Sequence, residues 1–194
     1  MWFRVLSVLM TMAMLAPLWV NAEESLPTLT PEQVENYQFP NSQRDEKLIV
    51  KDLNVSQRHI LETMRREIKE VFARRLGVLA IKGTRQDLTV MQRLVDRKIL
   101  RKDQVREWQS LGVLFGDILV REEGLHWVSY EDELGVAKAL RWRDTENYVF
   151  PVPLFSKRVY FNEEINMQQL YAELSAQIAD FKRNEVRDSL LKRK

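Results

Sequence analysis

The apolar residues of this chain change their spacing at Gly124, and this change restricts the fold more than any other feature. From Ser56 to Gly124 they recur mainly at three- and four-residue steps, the repeat of amphipathic helices. Residues 126–161 are instead rich in Val, Phe, Tyr and Trp, which is typical of strands, and a helical pattern returns from Asn166. We therefore expect an α+β domain in which about four helices cover one face of a small antiparallel sheet of about three strands.

Three helices are predicted in the first part of this pattern. The first spans residues 56–76, and Gly77 ends it. The second is short and begins near Thr84, because the Thr-x-x-Asp spacing to Asp87 can cap its first turn. The third runs over residues 102–124, with its start at residue 102 or 103.

Gly112 and Gly116 interrupt the third helix and lie four residues apart on one of its faces. Each glycine costs a helix about 1 kcal/mol relative to alanine, so their presence needs a packing reason. We expect them to let another part of the backbone approach the helix closely inside the core. A membrane dimer motif has the same spacing, but the charges at Arg121, Glu122 and Glu123 argue against a membrane span.

The predicted sheet has three strands, at residues 126–130, 136–143 and 148–161. An acidic turn, residues 131–135, joins the first two strands and ends in Gly135, which suits a hairpin. Pro151 and Pro153 cannot donate ladder hydrogen bonds, so the third strand should begin as an edge, a bulge or an entry segment.

The first 22 residues have the layout of a secretory signal peptide. Arg4 precedes an apolar run from Val5 to Val20 that is shorter than a bilayer span, and compact residues lead to Ala22. Cleavage is predicted after Ala22, which would make the protein periplasmic in a bacterium with two membranes. No second long apolar segment follows, so we expect no transmembrane segment in the mature chain. The predicted divisions are a signal peptide (1–22), a polar Pro-containing leader (23–52), one α+β domain (53–182) and a charged helix end or tail (183–194).

Composition excludes several classes of chemistry. The chain has no cysteine, so thiol catalysis, Cys-ligated zinc and iron–sulfur clusters are excluded. Its two histidines, His59 and His126, lack the spacing of helical metal-ligand motifs, and there is no Gly-rich phosphate loop. The net charge is +2 and basic residues are interleaved with acidic ones, which does not indicate nucleic-acid binding. We expect no metal and no cofactor.

Two groups of residues have the composition of catalytic sites, but neither predicts an enzyme. His126, Ser129 and Asp132 are the residue types of a hydrolytic triad, yet positions 126 and 129 point to opposite faces of a strand. Carboxylates of the acidic turn would suit glycan hydrolysis if they met others from the third helix across a cleft. Those of the helix are Asp117, Glu122 and Glu123. Adjacent carboxylates in a turn are usually solvated, so no catalytic residue is predicted.

One set of residues resembles a known family. It comprises Leu111-Gly112, Gly116-Asp117, Gly124, Trp127, Asp132, Gly135, Pro151 and Lys157-Arg158. The pattern is similar to a family of uncharacterised, mostly exported bacterial proteins known only as a domain of unknown function. The resemblance covers roughly residues 100–180. It implies the same domain and a bacterial origin, and it brings no activity, ligand or catalytic residue with it.

The predicted binding surface combines the sheet with the acidic turn. Arg141 and Arg143 on the second strand, with Lys157-Arg158 on the third, would form a basic patch on the outer sheet face. Such a patch suits phosphate, lipid headgroups or an acidic partner, although solvated surface charges are the plainer interpretation. Trp108 and Trp127 are expected in the core, whereas Trp142 is either core or contact surface. The candidate binding residues are Trp127, Asp132, Arg141, Arg143, Lys157 and Arg158.

Three functions remain compatible with the sequence. The favoured one is an exported periplasmic binding or accessory module without catalytic activity, which acts on an envelope protein partner through the sheet face and the acidic turn. The second is an envelope hydrolase that cleaves cell-wall glycan with carboxylates such as Asp132. The third is a periplasmic immunity or inhibitor protein that blocks a toxin or a lytic enzyme. One sequence leaves the oligomeric state open.

Overall fold

The structure, a computed structural model, describes residues 48–191, with side chains as far as residue 187. Its helices are α1 (Val55–Leu76), α2 (Asp87–Asp96), α3 (Val105–Glu123), α4 (Leu154–Tyr160) and α5 (Met167–Leu191). Its strands are β1 (Ile49–Asp52), β2 (His126–Asp132), β3 (Gly135–Arg141) and β4 (Tyr148–Val149). They form one antiparallel sheet in the order β1-β2-β3-β4. The predicted α+β class is confirmed, with one more strand and one more helix than expected within the described residues.

The first predicted helix is confirmed as α1, and its two ends have clear local causes. Asn54 and Gln57 form a capping box, in which each side chain accepts the other residue's backbone N–H, at 2.8 and 3.0 Å. Gly77 ends the helix at φ +67°, a left-handed conformation that favours glycine. One face of α1 is buried through Leu61, Met64, Ile68 and Phe72.

The predicted turn before α2 is present, but regular helix begins three residues later than predicted. One carboxylate oxygen of Asp87 accepts the backbone N–H groups of Thr84, at 2.9 Å, and Lys82, at 3.0 Å. The Thr84 hydroxyl is buried and makes no hydrogen bond within the described part of the chain. Only the carboxylate half of the predicted cap therefore forms, and regular helix begins at Asp87.

The two glycines of α3 are the places where other elements approach it most closely. A Cβ atom on Gly112 would lie 2.3 Å from the carbonyl oxygen of Pro151 and 2.7 Å from that of Val152. A Cβ atom on Gly116 would lie 2.6 Å from the indole ring of Trp127 and 2.8 Å from the Pro151 ring. The predicted close approach is confirmed: backbone contacts α3 at Gly112, and two rings contact it at Gly116.

The β2–β3 hairpin is confirmed with a two-residue turn. Asp132 pairs with Gly135, and Gly135 has φ +123°, which a residue with a side chain rarely adopts. Trp127 pairs with Leu140, and both residues pack into the core formed with the helices. Neighbouring positions such as Tyr130 point to the opposite, outer face, because strand side chains alternate.

The predicted third strand is wrong after Val149. Only Tyr148 and Val149 pair with β3, and residues 154–160 form α4. Pro153 directly precedes the helix, where its restricted φ favours helix initiation over sheet pairing.

The apolar residues of this segment that suggested a strand form one side of α4. Phe155 and Val159 are four residues apart, which places them on one side of α4. Phe155 is fully buried and meets Phe115 of α3 edge-to-face, with ring centroids 5.3 Å apart. Lys157 and Arg158 consequently lie on a helix and not on the predicted strand.

The predicted leader, residues 23–52, ends in a strand. Its last four residues form β1, which pairs with β2 from Ile49 opposite Glu131 to Asp52 opposite Val128. Four residues are too few to show a convincing alternation, so the sequence did not reveal this strand. The predicted signal peptide, the rest of the leader to residue 47 and the last three residues lie outside the described part of the chain.

All five helices contribute to one core. Ile68 of α1, Leu88 of α2, Phe115 of α3, Phe155 of α4 and Ile178 of α5 belong to the same buried cluster. The first two predicted helices therefore share their packing with the rest of the described domain. Within residues 48–191, no helix is both long enough and apolar enough to cross a bilayer.

Candidate functional site

A cleft of about 710 Å³ opens between the N-terminal half of α1 and the beginning of β2. We call it the histidine cleft, because His59 of α1 and His126 of β2 both line it and are the chain's two histidines. The other polar side chains and the aromatic ring that line it are Asp52, Arg58, Glu62, Arg65 and Trp127. Residues 67 positions apart in the sequence are thus brought to one cavity.

Helical spacing explains how α1 lines the cleft. Arg58, Glu62 and Arg65 are separated by four and three residues, so they lie along one face of the helix beside His59. On the other wall, Gly124 ends α3 at φ +77° and turns the chain into β2, which begins with His126. The cleft therefore depends on a helix C-terminus and a helix face that are far apart in sequence.

Arg65 and Trp127 form one wall of the histidine cleft, and Asp117 binds both of them from behind this wall. The Arg65 guanidinium donates two hydrogen bonds to the Asp117 carboxylate, at 2.7 Å from Nε and 2.8 Å from Nη2. The Trp127 indole N–H donates to the same carboxylate at 3.0 Å. The two charged side chains are only 21% and 23% exposed, and the hydrogen bond to Asp117 raises the pKa of Arg65. The wall is thus part of a charged, bidentate and largely buried cluster.

The rim of the histidine cleft presents both donors and acceptors. Arg58, His59 and Glu62 are exposed side chains on α1, and Asp52 is exposed at the end of β1. No group of three or more acidic, histidine or cysteine side chains within residues 48–191 is arranged to hold a metal ion. The rim can therefore form hydrogen bonds and ion pairs with a ligand that carries groups of both kinds.

The outer face of the sheet carries an aromatic cluster. Tyr130 meets Tyr148 and Phe150 edge-to-face, with ring centroids 5.0 Å apart in each pair. Arg141 lies over the Tyr148 ring at 5.9 Å from its centroid, and its Nε donates to the carbonyl oxygen of Thr145 at 2.7 Å. Burial raises the pKa of Tyr148, which keeps its hydroxyl protonated at neutral pH. This face is more aromatic and less basic than the sequence predicted.

The four basic residues of the predicted patch do not lie together on the sheet. Arg143 follows β3 at φ +47° and pairs with Glu185 of α5 at 3.0 Å. Lys157 and Arg158 lie on α4, where Arg158 pairs with Glu163 at 2.9 Å. Of the four, Arg141 alone belongs to a strand, because the third strand ends before residue 157. A binding role for each of them stays a prediction.

The two remaining candidate residues have different surroundings. Trp127 joins the core to the wall of the histidine cleft, as the glycine contact and the Asp117 hydrogen bond show. Asp132 accepts the backbone N–H of Leu134 at 2.9 Å and so helps to shape the hairpin turn. The predicted acidic turn is present, but this carboxylate already supports its backbone.

The tryptophan left open by the sequence contacts α5. The Trp142 indole N–H donates to Glu185 at 2.8 Å. The charged groups of Arg143 and Lys182 lie 4.9 and 5.0 Å from its ring centroid. Trp142 is half-buried and joins the end of the hairpin to α5. Trp108, in contrast, is buried in the core as predicted.

The carboxylates of α3 are engaged by separate elements rather than by the acidic turn. Asp117 is bound to α1 and β2, as described above. Glu122 accepts the backbone N–H of Arg85 at 3.3 Å, and Glu123 accepts from Ser175 at 2.7 Å and Lys182 at 3.0 Å. Within the described residues none of these three meets the acidic turn, and the carboxylates that line the histidine cleft are instead Asp52 and Glu62.

The sequence pattern does not connect His59 with His126 or Arg65. One signal was present. Asp117 interrupts a stretch of α3, residues 110–119, that is otherwise apolar or small and is buried in the structure. A charge in such a stretch requires a partner, which the structure identifies as Arg65.

Comparisons with known proteins support the domain and its fold. Residues 87–171 match the family model described as "Domain of unknown function (DUF3806)". This match confirms the resemblance to a domain of unknown function, over a range that starts before the one predicted. It covers α2 through the first turn of α5, so α1 and β1 of the histidine cleft lie outside it.

A similar structure is a crystal structure from Bacteroides thetaiotaomicron VPI-5482, with a TM-score of 0.60 and 17% sequence identity. The alignment covers 66% of this chain and 47% of that one, so this chain spans about half the neighbour's length. At this identity the likeness shows the fold alone. The comparison with curated proteins found no match.

Proposed function

We propose that this protein is an exported periplasmic binding module without catalytic activity, and that it binds an envelope protein partner in the histidine cleft. The signal-peptide pattern of residues 1–22 supports export. The cleft supports binding, because its volume of about 710 Å³ lies within the range of protein ligand sites.

The observation that carries this proposal is the network of Arg65, Asp117 and Trp127. Its charges satisfy one another, so the wall that it supports is already ordered before a ligand arrives. An ordered wall reduces the conformational entropy lost on binding. The Asp117 carboxylate holds two donors in place and is thereby removed from the role of a free catalytic base.

The shape and charge of the rim favour a polypeptide segment as the ligand. The cleft is an open groove along α1 rather than an enclosed cavity, and a segment of a partner can lie along it. Arg58 and Glu62 present opposite charges one turn apart, and His59 adds a further polar group. A segment with both acidic and basic side chains can pair with these positions, which gives specificity of register.

Site-specific photo-crosslinking tests the proposed site. A benzophenone amino acid is introduced at His59, and in a second variant at Arg58, in cells that export the full chain. The control places it at Lys69, which is exposed on the same helix but does not line the cleft. We expect an adduct of one defined mass from positions 58 and 59 and none from position 69. No adduct from the cleft, or equal adducts from all three positions, would contradict the proposal.

Export is tested separately. Osmotic shock of cells that express a C-terminally tagged chain should release the protein with a periplasmic marker. N-terminal sequencing of the released protein should begin at Glu23, directly after the predicted cleavage site. Retention of the full-length chain with a cytoplasmic marker would refute export while leaving the binding site open to the crosslinking test.

A second candidate function rests on the two carboxylates that line the cleft. Asp52 and Glu62 share this cavity, and paired carboxylates across a groove are the catalytic groups of glycoside hydrolases. The test incubates purified protein with isolated cell-wall glycan and measures released reducing ends. Activity that is abolished by Glu62→Gln but retained in Glu70→Gln, on an exposed site of the same helix, would favour this function over the binding module.

A further inference from the structure

A pair of aromatic rings is exposed at the end of α4. Tyr160 and Phe161 are 80% and 65% exposed, and their rings meet edge-to-face with centroids 5.1 Å apart. Large aromatic surfaces are unfavourable in water, so two adjacent exposed rings are typical of a contact surface. We refer to these two residues as the aromatic knob.

An apolar pocket lies directly beside the aromatic knob. Val159 and Asn162, the residues on either side of the knob in the sequence, both line an open cavity of about 580 Å³. The apolar residues Leu100, Trp108 and Ile165 line it as well. The same small surface therefore presents a projecting apolar group and a recess of matching chemistry.

The two rims of this pocket carry opposite charges. Lys98, Arg101 and Lys102, on the connection between α2 and α3, line one side. Glu163 and Glu164, on the connection between α4 and α5, line the other. Arg101 pairs with Asp103 at 3.1 Å and Glu163 with Arg158 at 2.9 Å within the same molecule, so the rim charges offered to a partner are above all those of Lys98 and Glu164. A two-fold rotation would bring the basic rim of one molecule onto the acidic rim of another.

The backbone adopts uncommon conformations at two residues that line the pocket. Lys98 has φ +50° and Asn162 has φ +57°, two of the three non-glycine residues with positive φ in the described chain. Such conformations are strained and persist where surrounding contacts maintain them. Here the Lys102 ammonium donates a hydrogen bond to the Asn162 side chain across the pocket. The recess is thus shaped before any partner arrives.

From these observations we infer that a second copy of this chain docks on this surface as a two-fold symmetric dimer. The aromatic knob of each copy enters the apolar pocket of the other, and the acidic and basic rims pair across the axis. A knob, a recess and two oppositely charged rims on one patch are complementary to themselves, which an interface with this symmetry requires. A membrane surface fits less well, because the acidic rim would face anionic headgroups. The dimer does not depend on the histidine cleft.

Sedimentation velocity of the mature chain over a concentration series is the first test. We expect a concentration-dependent dimer that the double variant Tyr160→Ser/Phe161→Ser weakens by tenfold or more in dissociation constant. The control is Leu134→Ser, which removes an even more exposed apolar side chain (97%) at the hairpin turn and should leave the dimer unchanged. A monomer at every concentration, or equal weakening by the control, would overturn the inference.

Charge reversal tests the symmetry of the interface. Lys98→Glu and Glu164→Lys should each weaken the dimer, and the double variant should recover most of the lost affinity because the rims again attract each other. Additive losses in the double variant would contradict rim pairing. Flotation with phosphatidylglycerol vesicles is measured on the same proteins. Knob-dependent binding of monomers to these vesicles would assign the surface to lipid instead and overturn the dimer. Near-UV circular dichroism verifies that each variant is folded.

Discussion

Asp117 and Glu123 are carboxylates of α3, and both are mostly buried, but they connect the helix to the rest of the molecule in different ways. The hydrogen-bond partners of Asp117 come from α1 and β2, two elements that diverge and leave the histidine cleft between them. The described partners of Glu123, which are Tyr171, Ser175 and Lys182, all lie on α5. Asp117 thus holds together two elements that diverge on either side of a cleft. Glu123 instead fastens α3 to one face of α5.

The two carboxylates also differ in what surrounds their charge. Asp117 is held by a guanidinium in a bidentate pair, whose two hydrogen bonds fix the orientation of the carboxylate. Glu123 is subject to burial, which would raise its pKa, but the hydrogen bonds from Ser175 and Lys182 outweigh burial and lower the pKa below 4.5. We therefore expect the two regions to respond differently to substitution, and we expect Glu123 to make stability depend on pH.

The largest loss of stability is expected from a substitution at Gly112, because both regions depend on the position of α3. Gly112→Ala would drive a Cβ atom to 2.3 Å from a backbone oxygen, which cannot move without displacing the chain at Pro151. Alanine would gain about 1 kcal/mol of helix propensity, but overpacking costs more, so we expect a net loss of about 3 kcal/mol in the free energy of unfolding. Urea denaturation measures it.

Ser110→Ala is the matched control for Gly112→Ala. It lies on the same buried stretch of α3, and its hydroxyl has no hydrogen-bond partner among the described residues. Removing an unsatisfied hydroxyl should leave the stability unchanged or raise it. A Gly112→Ala protein as stable as Ser110→Ala would show that the backbone at Pro151 yields easily.

Asp117→Ala should have the next largest effect on stability, and it should disturb the region around the histidine cleft but not the junction of α3 with α5. It leaves the Arg65 guanidinium and the Trp127 N–H without their acceptor in a largely buried setting, which costs about 2 kcal/mol. Thermal and urea denaturation give the loss, and Glu122→Ala, an exposed site on the same helix, is the control. If the crosslinks from position 59 survived in Asp117→Ala, the network would not be needed to form the cleft.

Glu123 should show its contribution in the pH dependence of stability. Because its folded pKa is lowered, its stabilisation is fully present above the unfolded pKa of about 4.5 and is lost as pH falls through the folded pKa. Glu123→Gln should cost about 1 kcal/mol at neutral pH, and this difference from wild type should shrink on acidification. Denaturation curves at several pH values test it. A difference independent of pH would mean that the charge of Glu123 contributes nothing.

The smallest effect on stability is expected at the rim of the cleft. Arg58→Gln/His59→Gln replaces exposed side chains that no buried group needs, so the unfolding free energy should change by less than about 0.5 kcal/mol. The same variant should no longer co-purify with the partner that crosslinking from positions 58 and 59 identifies. If the variant lost stability as well as partner binding, Arg58 and His59 would have a structural role, and the distinction between rim and wall would be weakened.

Features that depend on neighbouring residues were predicted correctly, whereas a feature that involves contacts distant in sequence was not. The capping residues around Asn54, the stop at Gly77 and the turn at Gly135 act on their own neighbours, and α1 and the hairpin were predicted correctly. Residues 154–160 were misassigned because Phe155 and Val159 suit a strand as well as a helix when judged by composition. Their contact with Phe115, distant in sequence, accompanies the helical outcome.

The candidate site was less predictable than the fold. Trp127 was selected from the sequence and does lie at the cleft, but its neighbours Arg65 and Asp117 were not selected as binding residues. Arg143 and Arg158 were assigned to a surface patch, whereas each forms an ion pair with a nearby or packed element. A charged residue in a sequence gives no indication of which opposite charge will lie within hydrogen-bond distance of it.

The sequence by itself determined the mixture of helix and strand, the extent of α1 and the hairpin, because caps, glycines and apolar spacing act over a few residues. It also determined that no thiol chemistry is possible, since the chain lacks cysteine. The tertiary structure alone decided that the two histidines share a cleft, that Asp117 binds Arg65, and that the aromatic knob stands beside an apolar pocket. These features depend on how α3 packs against α1, β2 and α4, and packing is a sum of long-range contacts that no local pattern contains.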